Sequence, residues 1–344
     1  MNKIVIRRPG SPGRLRVENA DPPIPGRGEF LVEVHAIGVN YADCIARMGL
    51  YRSSWDMVGW PLTPGFEVAG RILARGEASD DLMVGERVLC LTRFGGYAEL
   101  VAVPELQVFR LADDIPTTAA ASIPVSFLTA CHALDLAAPP AGGAVLVHSA
   151  AGAAGSAIAQ VARVAGLRVF GVVGSADKVE AAFCAGADAV ALRGKVWHAE
   201  ARRFAPQGYA AVFDAGGNTL RRSFALVAPI GRLVVYGSHG IVPPTGRLID
   251  LPRVALRYAL MPRFGALALA NTNRSVMAFN LSYLFDRSDL IRATMERIMT
   301  MLAAGSIAPP PLEHFRLSEA ADAHRRLQSG RTIGKLVLIP DSLW

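Results

Sequence analysis

The fold is decided by residues 144–175, AVLVHSAAGAAGSAIAQVARVAGLRVFGVVGS. Residues 144–147 are an apolar run that reads as a buried parallel strand, and a loop of small residues follows over 149–155. Ile158, Val161, Ala162 and Ala165 then recur at helical spacing, and 167–173 begins a second strand. This is a βαβ unit, and its first turn is where such units bind a dinucleotide. Gly152 lets the backbone approach a pyrophosphate, Gly155 lets the helix pack close to the strand, and the amides at the helix start hold the anion. The usual first glycine is replaced by Ala150, giving A-x-G-x-x-G. The plainer alternative for such a stretch is simple helix–strand packing.

An acidic residue that would hold a ribose 2′-hydroxyl is expected at the end of the second strand, about 20 positions on. Val173-Gly174-Ser175 stands there instead, with Lys178 close behind and Arg193 after the next strand-like stretch. Small residues and cations suit a 2′-phosphate, which points to NADPH rather than NADH. The alternative is that both cations are solvated surface charges.

A chain of 344 residues can build two domains with sizeable cores, and 51% apolar content excludes a disordered chain. The formal charge of +7 comes from Lys and Arg spread along the chain, without a basic block or nucleic-acid motif. No nucleic-acid partner is therefore expected. Cys44, Cys90, Cys131 and Cys184 are far apart and form no C-x-x-C pair, which argues against a disulfide framework or a cysteine zinc cluster. The start, MNKIVIRRPG, lacks the long apolar stretch of a signal peptide, and the apolar stretch 254–270 is broken by Arg257, Pro262 and Arg263. The expectation is a reduced, cytoplasmic protein without a membrane span.

Strand-like runs at 3–8, 30–40, 68–75, 87–92 and 97–103, punctuated by Gly and Pro, predict a β-rich domain over 1–118, with a short helix over 41–48. A helical region over 116–134 leads to the nucleotide unit. From residue 144 strands (144–148, 168–173, 187–192, 209–214, 231–236) alternate with helices (155–166, 175–185, 195–205, 218–227), which implies a doubly wound parallel sheet. Residues 241–275 are the least readable. A strand at 275–281, a helix at 288–303, a strand at 312–317, a helix from an N-cap at Ser318 to Gln328 and a strand at 335–339 complete the chain.

Together the stretches GVNYADCIARMGLY (38–51), PGFEVAG (64–70), GERVLCLTRFGGYAEL (85–100), LTACHAL (128–134), VLVHSAAGAAG (145–155), GRLVVYGS (231–238), SVMAFNLSYLF (275–285) and AHRRLQSGRTIGKLVL (323–338) resemble the medium-chain dehydrogenase/reductase superfamily. The resemblance is to its zinc-independent quinone oxidoreductase branch, and TRFGGYAE with SVMAFNLSYLF is most like the VAT-1-like group. It implies an α/β fold in which a GroES-like β-rich catalytic domain, residues 1–121, is completed by 286–344. A Rossmann doubly wound parallel sheet, residues 122–285, binds NADPH. It also implies a homodimer through the edge strand near 276–281. The implied cofactor residues are Ala150, Gly152, Ala153, Ala154 and Gly155, then Gly174, Ser175, Lys178 and Arg193, and further on Tyr236, Gly237, Ser238 and Asn280.

Zinc-dependent relatives carry a Cys where this chain has Asn40 and a His where it has Phe66, and neither amide nor phenyl is a zinc ligand. No metal is expected, and Glu67 and Asp43 have plain structural readings, a salt bridge and an anchored corner. Without a Lewis acid, carbonyl polarisation falls to hydrogen bonds, which suits a quinone or the C=C bond of an α,β-unsaturated carbonyl. By family position Asn40 is a donor near the nicotinamide or substrate carbonyl, Tyr51 the cleft phenol, and Thr129 a neighbour of the nicotinamide. Capping for Asn40, packing for Tyr51 and an ordinary helix position for Thr129 are the alternatives. Ile45 stands where some members have a second tyrosine. His35, His132 and His148 read as structural, and Trp55 and Trp60 as packing residues or walls for a flat substrate. Two other functions stay open: a dedicated biosynthetic enoyl reductase, and a non-catalytic NADPH-binding sensor or interaction protein.

Overall fold

Val145, Leu146 and Val147 are wholly buried, because both faces of the strand Ala144–His148 are covered. Val145 and Val147 face the core shared with the helices Pro124–Ala137 and Ala153–Val164, while Leu146 faces Trp197 and Ala201 of the helix Trp197–Phe204. That two-sided burial is why the run is continuously apolar rather than alternating. The computed structural model describes residues 1–77, 81–194, 196–237, 240 and 251–344.

The strand lies inside a six-stranded parallel sheet. Its order is Ala189–Leu192, Arg168–Val173, Ala144–His148, Tyr209–Asp214, Val227–Val235 and Ser275–Ala278. Counted along the chain this is the order 3-2-1-4-5-6, whose reversal beside the first strand opens a crevice at the carboxyl ends. The second sheet runs Leu312–Arg316, Lys335–Ile339, Glu29–Val39, Glu67–Arg75, Arg87–Leu91 and Val108–Arg110, with Leu100–Pro104 also on Glu29–Val39. The last strand of the chain thus enters the sheet built by the N-terminal strands, and its register sets Leu336 opposite Val39. That register brings Lys335 beside Asn40.

Several predicted boundaries move, for local reasons. The helical region over 116–134 is two helices, Thr117–Ala120 and Pro124–Ala137, the second begun by a proline at its first turn. Thr117–Ala137 is long and apolar enough to cross a membrane, yet 72% of its most apolar window is buried inside the protein. The first strand is Asn2–Val5 rather than 3–8, and the run 97–103 joins Glu29–Val39 in regular register only from Leu100, its start being held by a bridge from Ala98 to Lys3 and by the Tyr97 amide on Pro64 O. The strand predicted at 231–236 starts earlier, at Val227. The strand predicted at 275–281 stops at Ala278, where Asn280 Oδ1 accepts from Ser282 N and turns the chain into a 3₁₀ turn. Ser318 is not an N-cap. Its hydroxyl donates to Asp341, and the helix Ala320–Gln328 begins after a 3₁₀ turn closed by Glu319 on the Arg316 amide.

Candidate active site

At the carboxyl ends of the parallel strands a cleft of about 310 Å³ separates the two sheets. Ser149 and the turn after the first strand, Val173 and Gly174 after the second, Arg193, and Tyr236 line one wall, and Asn40, Tyr41, Gly334 and Lys335 line the other. A broader groove of about 1040 Å³ opens at the opposite, amino ends of the strands. Its two cations are already engaged, Arg168 over the Phe204 ring and Arg232 with Ala137 O.

The turn after the first strand fits an anionic dinucleotide. A Cβ on Gly155 would lie 2.2 Å from Ser149 O, so only glycine lets the helix come this close. Gly152 caps the helix Ala153–Val164, Ser149 holds a left-handed backbone at φ 56°, and Ala153 and Ala154 line the cleft at the helix start. Ala150 departs from expectation: it is fully buried, and its amide donates to Val172 O rather than to the cleft. Gly174 stands in open space, whereas the Ser175 side chain turns to Asp177. Gly237 packs on Ala215, and Ser238 lies outside the described residues.

Lys178 and Arg193 are cleft residues, not surface charges. Lys178 is 9% exposed and donates to Gly330 O at 2.5 Å; Arg193 Nη2 donates to Ser149 Oγ at 3.1 Å. Burial holds both pKa values below their ordinary range, and for Lys178 the nearby Arg193 charge adds to this. Arg193 Nε is buried without a partner. Two desolvated cations, one with an unused donor, could hold a phosphate.

The opposite wall is a buried polar corner. Asn40 Nδ2 donates to Glu67 Oε1 at 2.8 Å, Lys335 Nζ donates to Asn40 Oδ1 at 2.6 Å, and Lys335 pairs with Glu67 at 2.5 Å. Glu67 Oε2 accepts from the Val125 amide, and Gly38 makes room for this carboxylate, since a Cβ there would lie 2.5 Å from Glu67 Oε1. Asp43 anchors the corner through the Asn40 and Gly65 amides, both 2.8 Å away. Burial pushes its pKa up to about 7, against those hydrogen bonds and the Lys335 charge. Tyr97 links Asp43 (3.3 Å) to His324 (3.1 Å). Burial drives the His324 pKa well below the usual imidazole value.

The Tyr51 hydroxyl donates to Asn280 Oδ1 at 2.7 Å, with its ring edge-on to Phe66 and Phe94, and neither Tyr51 nor Asn280 is among the residues that line the cleft. Burial raises the phenol pKa. Thr129 is buried, and the helix presents Val125 and Ser126 to the cleft one turn earlier. His148 is interior, bonded to Ser223, which in turn binds Asp214. Lys335, Ser126, Gln328 and Gly334 are cleft residues that single-residue reading overlooks. The Gly334-Lys335 pair inside the last quoted stretch is the signal that could have found two of them.

The corner does not fit catalytic zinc. The Asn40 amide is spent on Glu67 and Lys335, and Phe66 offers a phenyl ring packed 4.8 Å from that of Phe94. Among the described residues no group of three or more His, Cys, Asp or Glu side chains could hold a metal ion.

Residues 26–113 match the family model described as Alcohol dehydrogenase GroES-like domain, and 185–338 the one described as Zinc-binding dehydrogenase. The Synaptic vesicle membrane protein VAT-1 homolog of Homo sapiens is 33% identical over 331 residues, covering 95% of this chain and 83% of that protein. A mycobacterial protein solved in complex with NADPH is similar at TM-score 0.85 and 28% identity, over 99% of this chain and 100% of that one. The CurK enoyl reductase structure follows at TM-score 0.83 and 26% identity, over 98% and 99%. With its β-rich sheet, its parallel dinucleotide sheet and these relatives, the chain belongs to the medium-chain dehydrogenase/reductase superfamily, in the VAT-1-like group.

Proposed function

We propose that this protein is an NADPH-dependent, zinc-independent reductase acting on a quinone or on the C=C bond of an α,β-unsaturated carbonyl. The observation that carries this reading is the convergence of Lys178 and Arg193 on the same cleft as the Asn40–Lys335 corner. Relatives solved with NADPH or named as quinone or enoyl reductases support it.

When bound, NADPH supplies a hydride at the nicotinamide ring. The amides that begin the helix Ala153–Val164 hold the pyrophosphate, and Lys178 with Arg193 Nε holds the 2′-phosphate. Lys335 spends two of its three N–H donors on Asn40 and Glu67, which leaves the third for a ligand. Asn40, fixed from both ends, positions that ammonium. Tyr51 keeps its proton at neutral pH and can hand it to the anion that hydride addition leaves.

Anaerobic mixing with NADPH and a panel of quinones, enals and enones tests the reading. Acceptor-dependent oxidation is expected, and oxidation by none of them would count against it. The likeness to the CurK enoyl reductase supports a second reading, in which the acceptor is a carrier-bound enoyl group. NADPH binding without turnover, with a specific protein partner, would favour a binding role instead. The edge position of Ser275–Ala278 is the surface we assign to a homodimer.

A further inference from the structure

Ser149 follows the strand Ala144–His148 at its carboxyl end, and its backbone is left-handed at φ 56°. Residues other than glycine hold that conformation only where their surroundings impose it. Here the Ser149 carbonyl accepts from the Gly152 amide at 2.9 Å and lies against Gly155, while His148 before it is held by Ser223. Continued as a strand, residue 149 would face the same core as Val145 and Val147. The left-handed turn takes it out of that alternation, and the half-buried side chain lines the cleft instead.

There the hydroxyl meets Arg193. Arg193 follows the edge strand Ala189–Leu192, and its amide donates to Val173 O at 2.7 Å, at the carboxyl end of the neighbouring strand. Its guanidinium passes the end of that neighbour and reaches Ser149, one strand further on, where Nη2 donates to Oγ at 3.1 Å. The arginine thus spans the end of Arg168–Val173, the place where a sheet of this order meets the 2′ position of a bound ribose. Gly174 leaves that place open, with nothing within 4 Å of its Cβ position. Anchored at both ends, Arg193 keeps Nε buried and without a partner. In its bond to Arg193 the Ser149 oxygen accepts, so its own proton remains for a ligand.

We propose that Ser149 is a positioning residue for cofactor selectivity: by anchoring Arg193 across the end of the second parallel strand, it aims Nε at the 2′-phosphate and so sets the preference for NADPH over NADH. This rests on the NADPH part of the reductase reading and not on turnover. An arginine freed of its anchor keeps its charge but spreads it over many rotamers, and ordering it again costs affinity when the phosphate binds. The anchor itself is one hydrogen bond, about fivefold in an equilibrium constant.

The test uses Ser149→Gly, which suits the left-handed backbone while removing the hydroxyl, and Ser149→Ala, which keeps Cβ. Calorimetric titration with NADPH, NADH, 2′,5′-ADP and 5′-ADP reads the contribution of the 2′-phosphate directly. Both variants are expected to lower the NADPH-to-NADH and the 2′,5′-ADP-to-5′-ADP affinity ratios by about fivefold, with NADH affinity within about twofold of wild type. In an Arg193→Ala background, Ser149→Gly should lower neither ratio further, an outcome that a merely structural role for the turn does not produce. Ratios that survive both substitutions, equal losses for NADPH and NADH, or tighter NADPH binding without the hydroxyl would each overturn the proposal. A wild-type protein with no preference for the 2′-phosphate would overturn the NADPH reading together with it. Selectivity that falls as expected, in a protein that oxidises NADPH with no acceptor, would leave the role of Ser149 standing and remove the reductase reading.

Discussion

The Tyr51 hydroxyl donates a 2.7 Å hydrogen bond to Asn280 Oδ1, and so joins the β-rich half of the molecule to the end of the parallel sheet. The same oxygen also accepts from Ser282 N at 3.0 Å and Ser282 Oγ at 2.7 Å. A carbonyl oxygen has two lone pairs for these three donors, and the single Ser282 Oγ proton also has Ser53 Oγ within 2.9 Å, so the Ser282 hydroxyl is the donor most readily turned away. Beside it, Tyr283 donates to Asp56 at 2.8 Å and Arg93 to Asp286 at 2.6 Å. The segment that follows the edge strand is thus fastened to the β-rich half of the molecule.

Tyr51→Phe removes the proton donor while keeping the ring in its cluster. A drop in kcat of about 100-fold, the low end for a positioned acid, is expected with NADPH affinity unchanged. Steady-state kinetics with a cyclic enone checks this, and an unaltered kcat would assign the proton to another group.

Lys178→Ala and Arg193→Ala each remove a charge-assisted contact to the 2′-phosphate. NADPH should weaken by at least about tenfold more than NADH for each substitution, measured by calorimetric titration. Equal losses for the two cofactors would return both residues to a structural role.

Lys335 and Glu67 are 2% and 0% exposed and 2.5 Å apart. Lys335→Met leaves the Glu67 carboxylate buried without its cation, a loss of about 3–5 kcal/mol in unfolding free energy. Adding Glu67→Gln should recover part of it. Urea melts of both single variants and the double variant measure the coupling; purely additive losses would mean that the pair is not coupled.

Gly155→Ala sets a methyl 2.2 Å from Ser149 O, where neither backbone can yield. Pushing the helix off its strand should cost roughly 1–3 kcal/mol of stability and weaken NADPH as well. A Gly174→Ala control, with nothing within 4 Å of its Cβ, should leave stability nearly unchanged.

The His324–Tyr97–Asp43 chain gives opposing pH terms. His324 is held neutral in the fold, so the unfolded chain alone takes a proton below the ordinary value of 6.5, and stability present above that pH is lost as pH falls. Asp43, raised from 3.8 to about 7, contributes stability that is full at the acid end and lost as pH rises through its folded value. Melting temperatures between about pH 4 and 8 should show less acid loss in His324→Gln and a steeper one in Asp43→Asn. Parallel curves for all three proteins would refute the assignment.

Much of the parallel sheet was legible because its central strands are buried on both faces, whereas the edge strands Ala189–Leu192 and Ser275–Ala278 are partly exposed. Strands 144–148, 168–173 and 209–214 and the helix 288–303 stand at the predicted residues. The boundaries that moved depend on contacts distant in sequence: Tyr97 on Pro64, Ser318 on Asp341. The cleft wall built from the parallel sheet could be read for the same local reason, since its turn lies in one stretch. The opposite wall could not, because Lys335 meets Asn40 only through the register of Leu336 on Val39, nearly 300 residues apart in the chain. Ala150 misled because a small residue in a glycine pattern can face either the ligand or the neighbouring strand, and here it faces the strand.

Hydride transfer itself is tested most directly with NADPH deuterated at the nicotinamide C4 position, mixed anaerobically with the wild-type protein and a cyclic enone. The expected result is stoichiometric loss of NADPH and a saturated ketone carrying one deuterium at the former β-carbon, unaffected by a zinc chelator. NADPH that binds and stays reduced with every acceptor, or turnover that stops with the chelator, would contradict a zinc-independent reductase.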